Sequence, residues 1–271
     1  MHFKYKKIRS NHYKAQRIKL KKAFGVNIDE QIRSPYTFLK SRFYIEISAF
    51  IVFLLQFTKI TPNSLTILYA ILGLVSGLFL ASNNNCLILI SIIIIFCKGT
   101  VDWADGLLAR IKKSTSDLGD LLDNWAALVG SYSFVLGFGF YLYNQNQEEH
   151  FIILTFFIIL IKAIDLKNYY YQLKFYQIVN SKRKIVLNNN NSKKNNRYGV
   201  NSFLINVKNF FQNTFDDRAR SVDLICFLII IDTFFYNLVY LNYIFYFVVV
   251  KNFILFMGGF YLIYFKKFIE K

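Results

Sequence analysis

The chain has 271 residues, of which 55% are hydrophobic and 19% aromatic, a composition too apolar for a soluble domain of this length. Its 33 Lys and Arg residues against 16 Asp and Glu residues give a formal net charge of +17. A nucleic-acid-binding protein carries such charge on a soluble basic face, whereas here it alternates with long apolar runs, so we do not expect nucleic acid as a partner. The composition predicts an integral membrane protein.

The first segment of the chain, residues 1–42, is a basic extension. It holds no apolar core followed by a small-residue cleavage site, so the sequence does not predict a cleaved signal peptide. Residues 43–57 form a short apolar run that follows a run of positive charge and carries Glu46 near its start. These features predict an interfacial amphipathic helix rather than a membrane span.

Six long apolar stretches follow, each near the ~20 residues that cross a hydrocarbon core of ~30 Å. They run over residues 64–82, 86–109, 119–143, 150–171, 222–240 and 243–265. The sequence therefore predicts an all-α integral membrane fold, a bundle of six transmembrane helices preceded by the interfacial helix. The predicted divisions are a basic extension over 1–42, the interfacial helix with four spans over 43–171, a basic loop over 172–220, and two spans with a basic tail over 221–271.

Loop charge predicts the orientation of the spans. With both termini in the cytoplasm, 29 of the 33 Lys and Arg residues fall in cytoplasmic segments, and the opposite loops hold none, as the positive-inside rule requires. Counting residues 43–57 as a span, with the N-terminus still inside, would put the basic loop outside.

The centre of the basic loop, residues 182–197, is polar and of low complexity, which predicts a disordered linker that could also bind anionic headgroups. From compactness and composition bias, we expect a bacterial inner membrane.

Charged residues are scarce in the spans, but carboxylates cluster where the second span ends and the third begins. Asp102 and Asp105 share one helical face by their spacing, and Asp120 and Asp123 share a face of the next helix. A short polar loop then folds the two acidic faces against each other. Because buried carboxylates without partners are costly, the cluster predicts a functional site.

Carboxylates with no His or Cys nearby make a hard, all-oxygen site, which suits Mg²⁺, Mn²⁺ or Ca²⁺ rather than zinc. Arg110 beside such a site indicates a phosphate-bearing substrate, because a guanidinium binds phosphate oxygens. Gly106 allows close approach of the backbone. The structural alternative is a set of ion pairs and helix caps, with Asp117 and Asp120 capping the third span.

The same residues resemble the signature of the CDP-alcohol phosphatidyltransferases, D-x-x-D-G-x-x-A-R-x8-G-x3-D-x3-D. Seven of its eight fixed positions match at the family's spacings: Asp102, Asp105, Gly106, Ala109, Arg110, Gly119 and Asp123. The segment from Thr61 to Thr66 is also similar to the usual beginning of the family's first helix. The resemblance covers residues 42–130 well and the remainder only in span count.

The resemblance implies a six-helix membrane bundle with a polar cavity open to the cytoplasm. In it, Asp102, Asp105 and Asp123 would bind Mg²⁺ or Mn²⁺. The residues implied to bind the nucleotide and its pyrophosphate are Gly106, Ala109, Arg110 and Gly119. The implied reaction transfers a phospho-alcohol group from a CDP-alcohol to an acceptor hydroxyl and releases CMP, in phospholipid or related glycolipid synthesis among membrane lipids. The signature specifies neither the acceptor nor which CDP-alcohol is the donor, and a homodimer is implied by the family alone.

The eighth position departs from the signature, since Ala127 replaces the fourth Asp, which in the family is read as the base that deprotonates the acceptor. General-base help is typically worth ~10² to 10⁴ in rate. Asp120, one turn before Asp123, could serve as a substitute base, or could be a helix-start acid favoured by the helix dipole. Two functions stay open: an active transferase, and a catalytically silent relative that binds nucleotide or lipid as a regulatory or partner subunit. A small transporter would not explain the matched positions.

Other charged residues in the spans have two interpretations each. Lys98 precedes the first signature Asp by one helical turn, and either neutralises it or contacts substrate phosphate. Lys162 and Asp165, near the inner end of the fourth span, either reach the acceptor or form a local ion pair. Asp232 and Lys251 lie at similar depths in the last two spans, where the sequence predicts a buried ion pair.

Overall fold

The computed structural model of the chain describes residues 4–24, 35–165, 220–235 and 239–266. These ranges contain helices and no strands. The helices are α1 (Tyr5–Phe24), α2 (Pro35–Leu55), α3 (Pro62–Leu80), α4 (Asn85–Lys112), α5 (Asp117–Asn146), α6 (His150–Ile164), α7 (Arg220–Phe235) and α8 (Val239–Lys266). The chain divides into two compact units, of which the first ends at Gln147 and the second begins at Glu148.

Four of these helices are long and apolar enough to cross a membrane: α3, α4, α5 and the part of α8 over Val239–Gly258. They confirm the predicted all-helical, multi-pass architecture. The predicted spans over 150–171 and 222–240 correspond to α6 and α7, which have 15 and 16 residues and fall short of that length. Parts of both predicted spans, and the whole predicted linker over 182–197, lie outside the described residues. The count of six spans therefore stays a prediction.

The N-terminal region contains more helix than the sequence analysis predicted. Helix α1 lies within the segment predicted only as a basic extension. Helix α2 begins at Pro35, ahead of the predicted interfacial helix over 43–57, and it is not among the four candidate spans. Its position at a membrane surface stays a prediction.

Short polar side chains set the helix starts that frame the later site. Thr61 lies just before α3, where its hydroxyl accepts a hydrogen bond from the Ser64 N–H at 3.2 Å. Pro62 follows as the first helical residue, a position that needs no N–H donor. Ser116 begins α5 in the same way, since its hydroxyl accepts from the Gly119 N–H at 3.1 Å. Ser116, and neither Asp117 nor Asp120, is therefore the cap of α5, so the structure does not support the capping alternative for these two aspartates.

The backbone explains why the serine and not an aspartate caps this helix. A cap residue must itself be non-helical, and Ser116 has an extended backbone with φ −146°, whereas Asp117 is already the first helical residue. At the end of α4, Lys113 adopts a left-handed conformation, and its N–H donates to the Ala109 carbonyl. These two features turn the chain between Lys112 and Asp117, so the end of α4 lies beside the start of α5.

Helices α3 and α5 approach each other at small residues. A methyl group on Gly77 would collide with the backbone carbonyl oxygen of Ser133, and one on Gly137 would lie 2.6 Å from the Gly77 oxygen. Helix α4 joins the pair through Ser91, whose hydroxyl donates to the Ser76 carbonyl at 2.6 Å. Close backbone approach at small residues is a main source of packing energy between helices in a membrane. The first unit therefore has a tightly registered α3–α4–α5 core.

We expect Gly77→Ala to destabilise this core by about 1–3 kcal/mol, because the added methyl group meets backbone that no side-chain rotation can move. Gly258→Ala is the matched control, since a methyl group there meets nothing within 4 Å. Thermal unfolding of the purified variants in detergent checks this expectation. Equal unfolding midpoints for the two variants would contradict it.

The second unit packs α6 on α8 through aromatic side chains. Phe151 and Phe245 meet edge to face with ring centroids 5.7 Å apart, and the imidazole Nε2 of His150 lies 2.6 Å from the Tyr246 hydroxyl. In the same unit, Asp232 of α7 and Lys251 of α8 are both buried. Two buried opposite charges are compatible with the predicted ion pair, which stays a prediction.

Candidate functional site

The signature residues lie on two adjoining helix ends in the first unit. The last turns of α4 carry Asp102, Asp105, Gly106, Ala109 and Arg110, and the first two turns of α5 carry Gly119, Asp120 and Asp123. The turn described above is short, so it holds the two sets side by side. The two acidic helix ends therefore lie side by side because the turn between α4 and α5 is short.

Asp105 is the buried centre of this arrangement, with 8% of its surface exposed. Its carboxylate accepts a hydrogen bond from the Thr66 hydroxyl of α3 at 2.6 Å. The same hydroxyl lies 3.3 Å from the Pro62 carbonyl, so its single proton is better placed for the carboxylate. Asp105 also interacts electrostatically with Asp123 of α5 and with Arg110 of its own helix. Three helices thus contribute groups that act on one carboxylate.

The other two predicted metal ligands are more open to solvent. Asp123 is exposed and Asp102 is half-buried. Across the ranges that the structure describes, no three His, Cys, Asp or Glu side chains are arranged so that they could hold a metal ion. The oxygen chemistry of the three aspartates fits a hard cation such as Mg²⁺ or Mn²⁺. Metal binding by this set therefore stays a prediction that rests on donor chemistry.

The predicted nucleotide-binding residues lie around the same junction. A methyl group on Gly106 would stand 3.6 Å from Nη1 of Arg110, so the guanidinium folds back along its own helix. A methyl group on Gly119 would stand 3.7 Å from Oδ1 of Asn63, at the start of α3. The start of α3 and the start of α5 are therefore neighbours at this site.

Two residues at the start of α3 were not predicted as site residues. Asn63 reaches Gly119, and Thr66 holds Asp105. The signal for both was present, because they lie in the Thr61–Thr66 segment that resembles the beginning of the family's first helix. From sequence alone, that segment predicts only the beginning of a helix. Its contact with the signature residues depends on how α3 packs on α4 and α5.

Lys98 reaches across the α3–α4–α5 core from α4. Its ammonium lies 5.6 Å from the centre of the Tyr69 ring. A methyl group on Gly130 would stand 2.8 Å from Nζ, and one on Gly73 would stand 3.8 Å away. Gly130 follows Ala127 by three residues, so this ammonium lies close to the turn of α5 that lacks the fourth Asp. Neutralisation of Asp102 and contact with substrate phosphate both stay open for Lys98.

Asp120 is exposed in the first turn of α5. The side chain of Asn124 donates to its backbone carbonyl at 2.7 Å, one turn further on. This position suits both interpretations of Asp120, a substitute base at the open end of the site and an acid that interacts favourably with the helix dipole.

Helix α1 and helix α2 form one wall beside the signature. Trp103, between the first two signature aspartates, packs edge to face against Tyr44 of α2 and His12 of α1, with ring centroids 5.6 and 5.9 Å apart.

The end of α4 is bonded to the connection between α2 and α3. The Lys112 ammonium donates to the Thr58 and Ile60 carbonyls at 3.0 and 2.7 Å.

Helix α1 is fixed to α2 by a cluster around Glu46. Nε of Arg9 donates to both carboxylate oxygens, at 2.8 and 2.7 Å, and the Tyr5 and Tyr13 hydroxyls donate at 3.2 and 2.8 Å. These bonds lower the pKa of Glu46 to about 2. In the same interface, burial and then the charge of Arg110 lower the pKa of His12 from 6.5 to about 4.

The protein is therefore expected to lose stability as the pH falls from about 6.5 to about 4. The pKa of His12 is lower in the folded protein than in the unfolded chain, so the unfolded chain binds the proton more readily. Each step down in pH between these two values therefore favours the unfolded chain. Glu46 adds a second loss only below about pH 4.5, its unperturbed value. Thermal unfolding between pH 7 and pH 5 isolates the histidine effect, and His12→Asn should flatten the curve. If the His12→Asn variant lost stability with falling pH as steeply as the natural protein does, this assignment would be contradicted.

These features describe a multi-pass membrane protein with an acidic site at the junction of two helices. A family model described as CDP-alcohol phosphatidyltransferase matches residues 59–198, just over half of the chain. The chain belongs to the CDP-alcohol phosphatidyltransferase family, which confirms the resemblance drawn from the signature. The family implies a transferase that uses a CDP-alcohol in a membrane-lipid environment. A comparison with curated proteins found no match.

Proposed function

We propose that the chain is a divalent-metal-dependent transferase that moves a phospho-alcohol group from a CDP-alcohol to an acceptor hydroxyl. The acceptor oxygen forms a bond to the phosphorus that bears the alcohol, the bond from that phosphorus to CMP breaks, and the hydroxyl proton passes to a base. The observation that carries the proposal is the convergence on Asp105 of Thr66, Arg110 and Asp123, from three helices, within the matched signature.

Each residue in this proposal has a role that its chemistry supports. Arg110 binds the pyrophosphate oxygens through its forked N–H donors. Thr66 fixes the orientation of the Asp105 carboxylate, and Asp102, Asp105 and Asp123 would hold Mg²⁺ or Mn²⁺. The bound cation would neutralise charge on the phosphate oxygens.

Ala127 stands where the signature has the residue that takes the acceptor proton, and its methyl group cannot take one. Asp120 is exposed at the start of the same helix, and in the active enzyme it or a group of the acceptor itself takes the proton. Ala127 is also the specific observation that favours a second function, a catalytically silent relative that binds nucleotide or lipid as a regulatory or partner subunit.

The placement in the cell follows from loop charge. Both termini and the basic loop lie in the cytoplasm, where the positive-inside rule places them, and the site faces that side. We place the protein in a bacterial inner membrane, with phospholipid or related glycolipid synthesis as its pathway.

Equilibrium binding and turnover of a panel of CDP-alcohols that includes CDP-diacylglycerol, measured on the same purified sample, separate the two functions. An active enzyme binds one of these donors and releases CMP, and a silent relative binds it without turnover. Arg110→Gln should weaken binding in both cases, whereas Lys113→Gln removes a neighbouring exposed positive charge and should leave binding unchanged. If the natural protein bound neither CDP-diacylglycerol nor any other CDP-alcohol, the transferase function would be excluded.

A further inference from the structure

Helix α1 lies outside the family match, which begins at residue 59, and yet it is fixed to the helices around the candidate site. On one side, Ile8 is buried in a cluster with Leu108 of α4 and Val52 of α2. On a neighbouring side, the bonds from Arg9 and the two tyrosines join α1 to Glu46 of α2. These contacts set the rotation of α1 about its own axis, and they determine which of its side chains face outward.

The outward face of α1 is strongly basic. The helix contains eight Lys and Arg residues and no Asp or Glu. Lys6 lies seven residues before Tyr13, and Arg17 lies four residues after it, so both share with Tyr13 the edge of α1 that adjoins Glu46. Lys6 and Arg17 are exposed, and neither forms an ion pair with any residue that the structure describes. The positive charge on this edge is therefore available to a partner outside the described chain.

Helix α2 adds a third positive charge beside this edge. Arg42 precedes Glu46 by four residues, so it lies one turn away on the same face of α2. It is exposed, and its guanidinium carbon lies 4.0 Å from the centre of the Phe38 ring. We call Lys6, Arg17 and Arg42 the basic band. It runs along the line where α1 meets α2.

An exposed apolar stripe on α2 adjoins the basic band. Its residues recur at intervals of three, four and seven positions, which places them on one face of the helix. They are 45% to 66% exposed: Tyr36, Leu39, Phe43, Phe50 and Leu54. Glu46 follows Phe43 by three residues and precedes Phe50 by four, so the stripe borders the face of α2 to which α1 is bonded. A continuous exposed apolar surface of this kind marks an interaction site.

The basic band and the apolar stripe together fit the boundary between lipid headgroups and acyl chains. A helix at this boundary buries its apolar face among the first acyl carbons and holds Lys and Arg near the phosphates. Helix α2 is not among the candidate spans, and the end of α4 on which α1 packs is the end that loop charge places in the cytoplasm. An acidic soluble protein would match the charge alone, whereas an anionic lipid matches both the charge and the adjoining stripe.

We propose that the basic band binds the phosphate groups of anionic phospholipids in the cytoplasmic leaflet, with the apolar stripe of α2 among the first acyl carbons. The two arginines can donate paired N–H bonds to phosphate oxygens, and Lys6 supplies a point charge. This binding would hold α1 and α2 at the membrane surface beside the candidate site. It requires no reaction at that site, so its test is independent of the proposed function.

Equilibrium binding of phosphatidylglycerol to the purified protein in a neutral detergent tests the basic band, with phosphatidylcholine as the neutral reference lipid. We expect Lys6→Gln combined with Arg17→Gln to raise the Kd for phosphatidylglycerol about tenfold, because each basic group contributes to the attraction of anionic lipid. Binding of phosphatidylcholine should not change. The matched control combines Lys59→Gln with Lys113→Gln, which removes two exposed positive charges outside the band and should leave the Kd near its natural value.

Equal Kd values for phosphatidylglycerol in the band variant and the control variant would overturn the proposal. Because this lipid could also enter the candidate site, the measurement is repeated in an Arg110→Gln background, where the band variant should cause the same loss. A loss that disappears in that background would assign the effect to the candidate site and would also overturn the proposal. Thermal unfolding without lipid shows that each variant compared is folded.

A depth measurement tests the apolar stripe. Phe50→Trp places a fluorescent side chain on the stripe. Asn11→Trp places one on the side of α1 opposite to Arg9 and Tyr13, each two residues away along the helix. In vesicles that contain phosphatidylglycerol, phospholipids brominated on their acyl chains should quench the added fluorescence of Phe50→Trp strongly and that of Asn11→Trp weakly. Equal quenching of the two variants would overturn the placement of the stripe among the acyl chains.

Discussion

Replacing Asp105 by Asn should lower the rate of CMP release by about 10³-fold or more. Stabilisation of phosphate charge by a bound cation is worth several kcal/mol, and ~1.4 kcal/mol is tenfold in rate. Asp105 is the most buried of the three aspartates expected to hold that cation, and Thr66 fixes one of its oxygens. The amide keeps the size of the side chain and can still accept from the threonine, so the change removes charge and little else.

Asp117→Asn is the matched control for this change. Asp117 is an exposed carboxylate in the first turn of α5 that neither matches the signature nor caps the helix. We expect it to retain near-natural CMP release. Both variants are first compared with the natural protein by thermal unfolding, so a folding loss is separated from a catalytic one. Full activity in a folded Asp105→Asn protein would remove this aspartate from the reaction.

Replacing Ala127 by Asp should raise the rate of CMP release by ~10² to 10⁴, the usual worth of a general base. Ala127 is partly exposed on α5, one turn beyond Asp123, at the position of the fourth signature Asp. The Lys98 ammonium lies close to the next turn of the helix, at Gly130, where it would favour the charged form of a new carboxylate. A carboxylate at this position is therefore expected to be ionised and ready to accept a proton.

Ala127→Asn is the control, because it has the size of Asp and no basic oxygen of the required strength. A gain with Asp and none with Asn would assign the effect to proton transfer. If the natural protein is already active and Ala127→Asp adds nothing, another group serves as the base, and Asp120→Asn becomes the variant to measure. Silence in the natural protein together with turnover in Ala127→Asp would favour the catalytically silent relative.

The sequence predicted those features of the site that depend on local spacing. The intervals between Asp102 and Asp105, and between Asp120 and Asp123, placed each pair on one helical face. Apolar length predicted α3, α4, α5 and the span within α8, and the short polar stretch between Arg110 and Asp117 predicted that the two acidic ends adjoin. Periodicity and length are local properties of a chain, so the predictions that depend on them hold in the folded protein.

The features that sequence did not predict depend on contacts between distant residues. The bond from Thr66 to Asp105 joins residues 39 positions apart, and the contact of His12 with Ser48 joins residues 36 apart. Helix α1 is basic and weakly apolar, and the bond from Arg9 to Glu46 that fixes it is itself long-range. Hydrophobic pattern gives the face that a helix buries. It does not give the rotation and register of one helix against another.

The most direct test of a phosphotransferase site at the junction of α4 and α5 is CMP release by the purified protein from a panel of CDP-alcohols, with mixed hydroxyl acceptors and with Mg²⁺ or Mn²⁺. We expect CMP that forms only with metal and acceptor, stops on chelation, and is lost in Asp105→Asn but not in Asp117→Asn. Release that persists in Asp105→Asn, or the absence of release from both the natural protein and Ala127→Asp, would contradict a phosphotransferase site at the junction of α4 and α5.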